Sequence, residues 1–290
     1  MNYIIFDLEW NQAPNEAAII KSPVYLSGEI IEIGAVKLND DFKLIDELKL
    51  YITPTHYPKL HKQVASLTHI REKDLTEQGL PFPEAFEKFS AWCGEEYTYM
   101  TWSMSDLPML IDNMLLHGID TSTLPDCCDI QRIFSREIMR TETRYSLDTA
   151  LNILHEKGDL AHDALHDARN TAKVCDHLDL EQYLGEYVSR VFAEHPNGKA
   201  YESHKDVLAD ASLQTFPCPW CGEAITCEPW VSNRFGTHIA CATCPEGDEF
   251  LVQLSIQKHS NTEYYATRLF FEMSDDLWDI YMDRKEALGV

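Results

Sequence analysis

Basic residues are scarce in this 290-residue sequence. It has 24 Lys and Arg against 48 Asp and Glu, which gives a formal net charge of −24 at pH 7. Such a chain is a poor candidate for the broad basic surface on which long-footprint nucleic-acid binding depends.

Long hydrophobic runs are absent as well. No apolar stretch approaches the ~20 residues that a membrane-spanning helix requires. The N-terminal sequence MNYIIFDLEWN has only a short apolar stretch before the carboxylates of Asp7 and Glu9, which is unlike an export signal. We therefore expect a protein of the cytoplasm that does not contact a membrane.

The nine cysteines are not the even set that a disulfide framework requires. Four of them form two CxxC pairs, Cys218–Cys221 and Cys241–Cys244, and the others are scattered among apolar neighbours. In a cytoplasmic protein this pattern indicates one metal site together with buried thiols.

Strand-like and helix-like segments alternate through most of the chain. Strands are predicted at 3–9, 29–38, 43–52, 97–102 and 126–130, and helices at 83–93, 107–116, 131–139, 146–155 and 163–178. This order is typical of an α/β domain, here predicted over 1–183. A polar connecting segment (184–212) follows. A second domain (213–290) contains two strand patterns and a C-terminal helix pattern.

Two acidic side chains, Asp7 and Glu9, lie two residues apart in the apolar segment YIIFDLEW. Side chains two apart on a strand project from the same face, so these carboxylates are expected side by side. Like charges at that separation are costly to bury unless a cation binds them. The alternative is an edge strand on which both carboxylates face water.

A third acidic side chain, Asp167, lies in the predicted helix 163–178 on the face that carries its small residues. A carboxylate on such a packed face requires the same cation, a buried arginine or a capping role. His162 precedes the predicted N-cap Asp163 and is expected in the loop before the helix. Beside clustered carboxylates, a histidine there is a candidate general base.

A fourth acidic residue, Asp106, follows the strand-like segment YMTW and opens a predicted helix with Pro108 in its first turn. Taken alone, this is the pattern of a helix N-cap. Asp106 becomes a candidate metal ligand because a pair of divalent cations requires more oxygen ligands than three carboxylates supply.

In chain order, these motifs resemble those of the DEDDh exonuclease superfamily. The matching blocks are Asp7-x-Glu9, Trp102-x-x-x-Asp106 and His162-x-Ala164-x-x-Asp167-Ala168, with GEIIEIGAVKL, SLTHI and YSLDTALNIL as supporting segments. The resemblance covers about residues 1–180. The segment YIIFDLEWN is most similar to a subgroup that contains animal RNA exonucleases and bacterial inhibitors of the sporulation pathway.

The resemblance implies an RNase H-like mixed sheet flanked by helices. It also implies hydrolysis at the 3′ ends of single-stranded RNA or DNA with two Mg²⁺ or Mn²⁺ ions. By resemblance, Asp7 bridges both ions, Glu9 and Asp167 complete one, and Asp106 supports the other. His162 would deprotonate the attacking water. The tyrosine type of this superfamily would have Tyr where this chain has Asp163.

The residues after the first motif depart from the family pattern. Many members have Thr and Gly there, whereas this chain has Trp10 and Asn11. Trp10 is a candidate for stacking on a terminal base, with packing in the protein as the alternative. By resemblance, Thr68 and His69 occupy a loop near the sugar. Trp10, Thr68 and His69 are therefore our candidate substrate-binding residues.

The two CxxC pairs predict one structural Zn²⁺ bound by Cys218, Cys221, Cys241 and Cys244, because their 19-residue separation is typical of four-cysteine sites. Cys227 and His238 are alternative ligands. Six aromatic residues of this β-rich domain are candidates for base stacking or core packing: Trp220, Trp230, Phe235, Tyr264, Tyr265 and Phe270. Binding of a protein partner or self-association through this domain is as compatible with its acidic composition as nucleic-acid binding.

Three functions are consistent with these patterns. The first is a 3′→5′ exonuclease, and the second is a regulatory protein–protein interaction module that retains a nuclease fold. The third is a nucleic-acid-binding zinc protein whose N-terminal half is structural. The complete set of acids argues against the second function, and the net charge argues against the third.

Overall fold

The computed structural model describes residues 1–194, 198–232 and 237–289. The chain divides into two compact units. The first unit contains residues 1–19, 26–120 and 125–188, and the second contains residues 20–25, 121–124 and the chain from residue 189 onward. Among the described residues, no helix combines the length and apolarity needed to cross a bilayer.

A six-stranded mixed sheet forms the centre of the first unit. Its strands are β1 (Asn2–Gln12), β2 (Gly28–Leu38), β3 (Leu44–Tyr51), β4 (Tyr97–Thr101), β5 (Cys127–Asp129) and β6 (Val188–Ser189). They lie in the order β3-β2-β1-β4-β5-β6. β1 is antiparallel to β2 and parallel to β4, so the sheet is mixed.

Helices follow the strands along the chain of the first unit. They are α1 (Lys62–Thr68), α2 (Glu72–Gln78), α3 (Phe82–Cys93), α4 (Asp106–Leu116), α5 (Ile130–Ile133), α6 (Leu147–Ile153), α7 (Ala164–Cys175) and α8 (Leu180–Tyr187). A π-helical turn (Phe134–Ile138) extends α5, and a 3-10 turn (Glu16–Ala18) follows β1. The predicted α/β fold class, a mixed sheet flanked by helices, is confirmed.

Strand β1 is buried on both faces because helices cover both sides of the sheet. Ile5 belongs to a core formed with α5, α6 and α7. Its neighbour Phe6 points the other way and contacts Phe89 of α3 and Tyr99 of β4, at ring-centroid distances of 5.9 Å and 4.8 Å. A strand that is covered on both faces usually has a continuous run of apolar residues, so the two carboxylates of β1 are unusual in this position.

The second unit is built on an antiparallel sheet. Its elements are β7 (Val191–Glu194), α9 (His204–Ala209), β8 (Thr215–Pro217), β9 (Ala224–Thr226), β10 (Val231–Ser232), β11 (Thr237–Thr243), β12 (Glu249–Ser260), β13 (Glu263–Glu272) and α10 (Asp275–Leu288). Five strands lie in the order β10-β11-β12-β13-β7, and β8 pairs with β9 in a separate hairpin. Two 3-10 turns (Thr121–Thr123 and Ala211–Leu213) complete the unit.

The segment predicted as a connection, 184–212, contains regular structure. It includes the end of α8, strand β7 and helix α9, while residues 195–197 lie outside the described residues. Strand β7 pairs with β13, where Phe192 lies opposite Phe270. Val207 of α9 is buried in a core with Leu254 and Ala266. The compact units divide after residue 188.

Candidate active site

Strand β1 presents Asp7 and Glu9 from one face, as their spacing predicts. In the antiparallel pair with β2, Asp7 lies opposite Gly34 and Glu9 lies opposite Glu32. The register shifts directly after Glu9, so the regular strand pairing is interrupted beside the carboxylates. Such a bulge bends the strand and redirects the side chains next to it.

Helix α7 packs on this pair of strands without an intervening side chain at Gly34. A Cβ atom added to Gly34 would lie 2.0 Å from the backbone nitrogen of Leu165 and 2.1 Å from the carbonyl carbon of Ala164. Only glycine permits this approach, which brings the first turn of α7 over the position opposite Asp7. The close packing therefore brings Asp167, in that first turn, toward the carboxylates of β1.

His162 and Asp167 meet in the loop before α7. The backbone N–H of His162 donates to Asp167 Oδ2 at 2.9 Å, and His162 adopts a left-handed conformation with φ of 63°. One ligand atom from each of Glu9, His162 and Asp167 lies within 4.8 Å of the others. The imidazole is exposed, so it can exchange protons with solvent.

Asp106 reaches the site from the start of α4. Its carboxylate is buried, and Oδ1 accepts a hydrogen bond from the backbone N–H of Leu8, between Asp7 and Glu9, at 3.1 Å. Ser105 occupies the N-cap position of α4. The Asp106 side chain therefore binds β1 instead of capping its own helix.

The carboxylates raise one another's pKa values. Burial raises the pKa of Asp7 well above its usual value, and Asp106, Asp167 and Glu9 add to the effect. Burial, then the charge of Glu32, raises the pKa of Glu9 to about 8. Burial likewise raises the pKa of Asp106 to about 7. Without a cation, the site would retain protons near neutral pH.

This donor set fits divalent cations. Clustered oxygen ligands are what Mg²⁺ and Mn²⁺ prefer, and a bound cation favours the ionised form of each carboxylate. Burial disfavours the charged forms of Asp7, Glu9 and Asp106, and bound cations would offset this effect. Residues Asp7, Glu9, Asp106 and Asp167 are thus the candidates to bind them.

Two residues beside the site were missed by the sequence analysis. The side chain of Glu32 is fully buried, and its Oε1 accepts from the backbone N–H of Ala164 at 2.9 Å. Lys49 lies 3.0 Å from the same oxygen and also pairs with Asp163, the N-cap of α7. Glu32 could have been identified from the sequence EIIEIGAVKL, because it is the acid in the middle of the apolar run between Glu29 and Lys37.

The candidate substrate-binding residues differ in their surroundings. Trp10 is half-buried and packs against Gly28, where an added Cβ would lie 2.4 Å from the indole ring. Thr68 is buried, and its hydroxyl bonds within its own turn, to the carbonyl of Val64 and the N–H of Ile70. His69 is exposed at the left-handed C-cap of α1.

In the second unit, the structure brings three of the four predicted zinc ligands together. Ligand atoms of Cys218, Cys221 and Cys244 lie within 4.8 Å of one another. Among the described residues, Cys241 is not a member of this group. It lies within β11 and its side chain is buried near Glu228 and Lys285.

The aromatic residues of the second unit that are candidates for base stacking differ in their exposure. Tyr265 and Phe270 are buried, whereas Trp220 has 47% of its surface exposed. Arg268 is also buried and donates to the backbone carbonyls of Ser212 and Thr215. Trp230 is half-buried, as is Tyr264. Phe235 lies outside the described residues.

Comparisons with known proteins show that the chain belongs to the exonuclease family. The exonuclease family model (RNase_T) matches residues 4–175. Over 99 residues, the chain is 32% identical to a protein of Bacillus subtilis described as a probable 3′-5′ exonuclease, KapD. That match covers 34% of this chain and 47% of the relative, so it spans less than half of the relative's length.

Solved structures share the fold. A 3′-exonuclease described in the recognition of a histone mRNA stem-loop has a TM-score of 0.55 at 19% identity, with coverage of 68% of this chain and 88% of that chain. The nuclease domain of 3′hExo, a DEDDh family member bound to rAMP, has a TM-score of 0.52 at 22% identity, covering 62% and 92%. Exonuclease I of E. coli with single-stranded DNA has a TM-score of 0.51 at 12% identity, covering 83% and 54%.

Proposed function

Because the chain belongs to the exonuclease family, we propose that it is a metal-dependent 3′→5′ exonuclease that acts on single-stranded RNA or DNA. The observation that carries this proposal is that Asp7, Glu9, Asp106 and Asp167 lie near one another, beside His162. These residues come from three separate parts of the chain, and a binding module has no use for four converging carboxylates.

Asp7, Glu9, Asp106 and Asp167 would hold two Mg²⁺ or Mn²⁺ ions. When bound, such ions activate a water molecule and stabilise charge on the leaving 3′ oxygen. Asp106 holds its carboxylate toward the site through the N–H of Leu8, and Asp167 positions His162 by accepting its backbone N–H. An imidazole nitrogen of His162 accepts the proton of the attacking water and returns it to solvent.

For substrate binding, we propose that the half-buried ring of Trp10 and the exposed side chain of His69 contact the terminal nucleotide. Thr68 contributes by holding the backbone of the same turn. Binding of a protein partner or self-association through the second unit stays a prediction.

The activity is tested with a 5′-labelled single-stranded oligonucleotide and Mg²⁺ or Mn²⁺. We expect stepwise shortening from the 3′ end, abolished by chelator and by Asp7→Asn. The matched control is Lys88→Gln, which removes one member of an exposed helical ion pair and should leave the ladder unchanged. An oligonucleotide that stays intact with the unaltered protein would contradict the proposal and favour the regulatory function. An unchanged ladder with Asp7→Asn would reveal a contaminating nuclease.

The same experiment measures whether the protein prefers RNA or DNA as its substrate. Relatives of this fold include a protein described with histone mRNA and one described with single-stranded DNA. RNA and DNA strands of one sequence, compared at equal concentration, give the ratio of kcat/KM for the two substrates.

A further inference from the structure

Two hairpin loops of the second unit begin with the same dipeptide and have similar hydrogen-bond patterns, with the first loop one residue longer. In the β8–β9 loop, the N–H of Cys218 donates to the carbonyl of Glu223 at 2.8 Å, and the N–H of Gly222 donates back to Cys218 at 2.9 Å. In the β11–β12 loop, Cys244 donates to the carbonyl of Asp248 at 2.7 Å, and Gly247 donates back to Cys244 at 2.9 Å. Each loop starts at a Cys-Pro pair.

The sulfur of Cys244 also accepts a backbone hydrogen bond from within its own loop. The N–H of Glu246 donates to Cys244 Sγ at 3.4 Å. The metal-binding loop around Cys244 therefore runs forward from this residue into 245–248, and not back toward Cys241.

Strand geometry explains why Cys241 is not part of this loop. Ala240, Ala242 and Cys244 face the core that contains Cys218. Side chains of a strand alternate between faces, so Cys241, three residues before Cys244, lies on the opposite face. There its side chain lies near Glu228 and Lys285. Cys241 lies within β11, where it pairs with Leu251 of β12, and Cys244 directly follows the strand.

Asp248 supplies a further donor on the loop after Cys244, although its carboxylate does not lie within 4.8 Å of all three sulfur atoms. Its Oδ2 lies 3.8 Å from Cys218 Sγ, across the gap between the two loops. A thiolate and a carboxylate on one tetrahedral Zn²⁺ are separated by roughly 3.5 Å, given metal distances of about 2.3 Å and 2.0–2.2 Å. We propose that Zn²⁺ binds Cys218, Cys221, Cys244 and Asp248, a site of three thiolates and one carboxylate.

The other candidates for the fourth ligand are engaged elsewhere. Both ring nitrogens of His238 have partners, with Ser232 Oγ 2.6 Å from Nδ1 and His204 Nε2 3.1 Å from Nε2. Burial raises the pKa of Cys227 to about 11, as for a thiol packed in a core. The preference for zinc follows from the three soft thiolate donors.

Zinc content and X-ray absorption of the purified full-length protein test the ligand set directly. We expect one Zn²⁺ per chain, bound by three sulfur atoms and one oxygen or nitrogen. Four sulfur atoms, or a protein without zinc, would overturn the proposal. Asp248→Cys separates a carboxylate ligand from a water molecule, because it should convert the site to four sulfur atoms. A site that keeps three sulfur atoms in this variant would exclude position 248.

Zinc retention in matched variants gives an independent measurement. Cys241→Ala should keep one Zn²⁺ and the affinity of the unaltered protein in competition with a chelator. Asp248→Asn should weaken affinity by at least the ~10- to 100-fold that even outer contacts of a metal site contribute. Cys244→Ala should lose the ion. Loss of zinc from Cys241→Ala with full retention by Asp248→Asn would refute the assignment. Neither result depends on nuclease activity.

Discussion

At the scale of single residues, the first unit keeps several carboxylates where burial opposes their charge. Glu32 is completely buried and has only Lys49 as a basic partner among the described residues, while Asp7 and Glu9 have none. Such an arrangement is unfavourable for the folded protein alone. It becomes favourable when cations bind, so metal binding and folding stability are expected to be linked.

The first prediction concerns pH and the metal-free protein. The pKa of Glu9 is about 8 in the folded chain, because burial and then Glu32 disfavour its charge, whereas an unfolded glutamate titrates near 4.3. Between these values the folded state binds more protons, so the free energy of unfolding should fall as pH rises. Each unit of pKa difference corresponds to about 1.4 kcal/mol.

Urea denaturation in EDTA at pH 5 and pH 8.5 measures this effect. Glu9→Gln should flatten the dependence, and Mn²⁺ should restore stability at the higher pH. A metal-free protein that becomes more stable across this range would contradict the proposed charge cluster.

The second prediction concerns His162. Replacement by Asn should lower kcat by about 10²–10⁴, the usual contribution of a positioned general base, while oligonucleotide binding changes little. The control is His177→Gln, which removes an exposed histidine paired with Glu156 and should have no effect. Single-turnover rates measure both variants. A His162→Asn variant within threefold of the unaltered rate would exclude the role in proton transfer.

At the scale of elements, the site depends on how closely α7 approaches the sheet. Its N-cap, Asp163, accepts from the N–H of His166 at 3.2 Å and also pairs with Lys49 of β3. Glu32 of β2 accepts from the first residue of the same helix. Three contacts thus fix the helix start from which Asp167 and His162 reach the carboxylates.

Gly34→Ala is the third prediction. The added methyl group would meet the backbone of α7, which cannot rotate away as a side chain can, so the helix must move. We expect a loss of at least ~1–3 kcal/mol of stability together with most of the activity. The matched control, Gly185→Ala in α8, meets no atom within 4 Å and should be neutral or gain ~0.5–1 kcal/mol. Equal stability of both variants in urea would show that α7 does not require this glycine.

Lys49→Gln is the fourth prediction. This change leaves Glu32 buried without a counter-charge, which should cost about 3–5 kcal/mol of stability. Lys88→Gln breaks an exposed pair whose loss is worth ~0–1 kcal/mol. Denaturation midpoints at pH 7 compare the two. A similar small loss in both would mean that Lys49 is solvated and does not neutralise Glu32.

At the scale of the whole molecule, the net charge of −24 limits how nucleic acid can be held. The second unit does not offset it, because residues 189–290 contain 8 Lys and Arg against 16 Asp and Glu. Contacts are therefore expected to be few and concentrated at the strand end, with bound metal ions providing positive charge.

The fifth prediction follows from this charge. For single strands, log K falls with log[salt] by ~0.7 for each phosphate neutralised. With two or three phosphates contacted, the slope should lie between about −1.4 and −2.1. Binding to the Asp7→Asn variant, measured by anisotropy from 50 to 300 mM NaCl, avoids cleavage. A steep slope near −5 would reveal a basic track and contradict the limited contact.

Much of the fold could be predicted from local patterns. The strands predicted at 29–38 and 43–52 agree with β2 and β3 within one residue at each end. Helices α1 and α2 were not predicted, because their short polar sequences carry little periodicity. Strand β7 was not predicted either, because its four residues are too few to show an alternation of polar and apolar side chains.

The sequence by itself determined which acids and which histidine are present, their order, and the alternation that puts Asp7 and Glu9 on one face. These features depend on spacing within one element, which local geometry sets. The tertiary structure alone decided that Asp106 binds β1, that Glu32 and Lys49 support the site, and that Cys241 faces away from Cys244. Those outcomes depend on where each turn begins and which strands pair, and a shift of one residue reverses the face of every side chain.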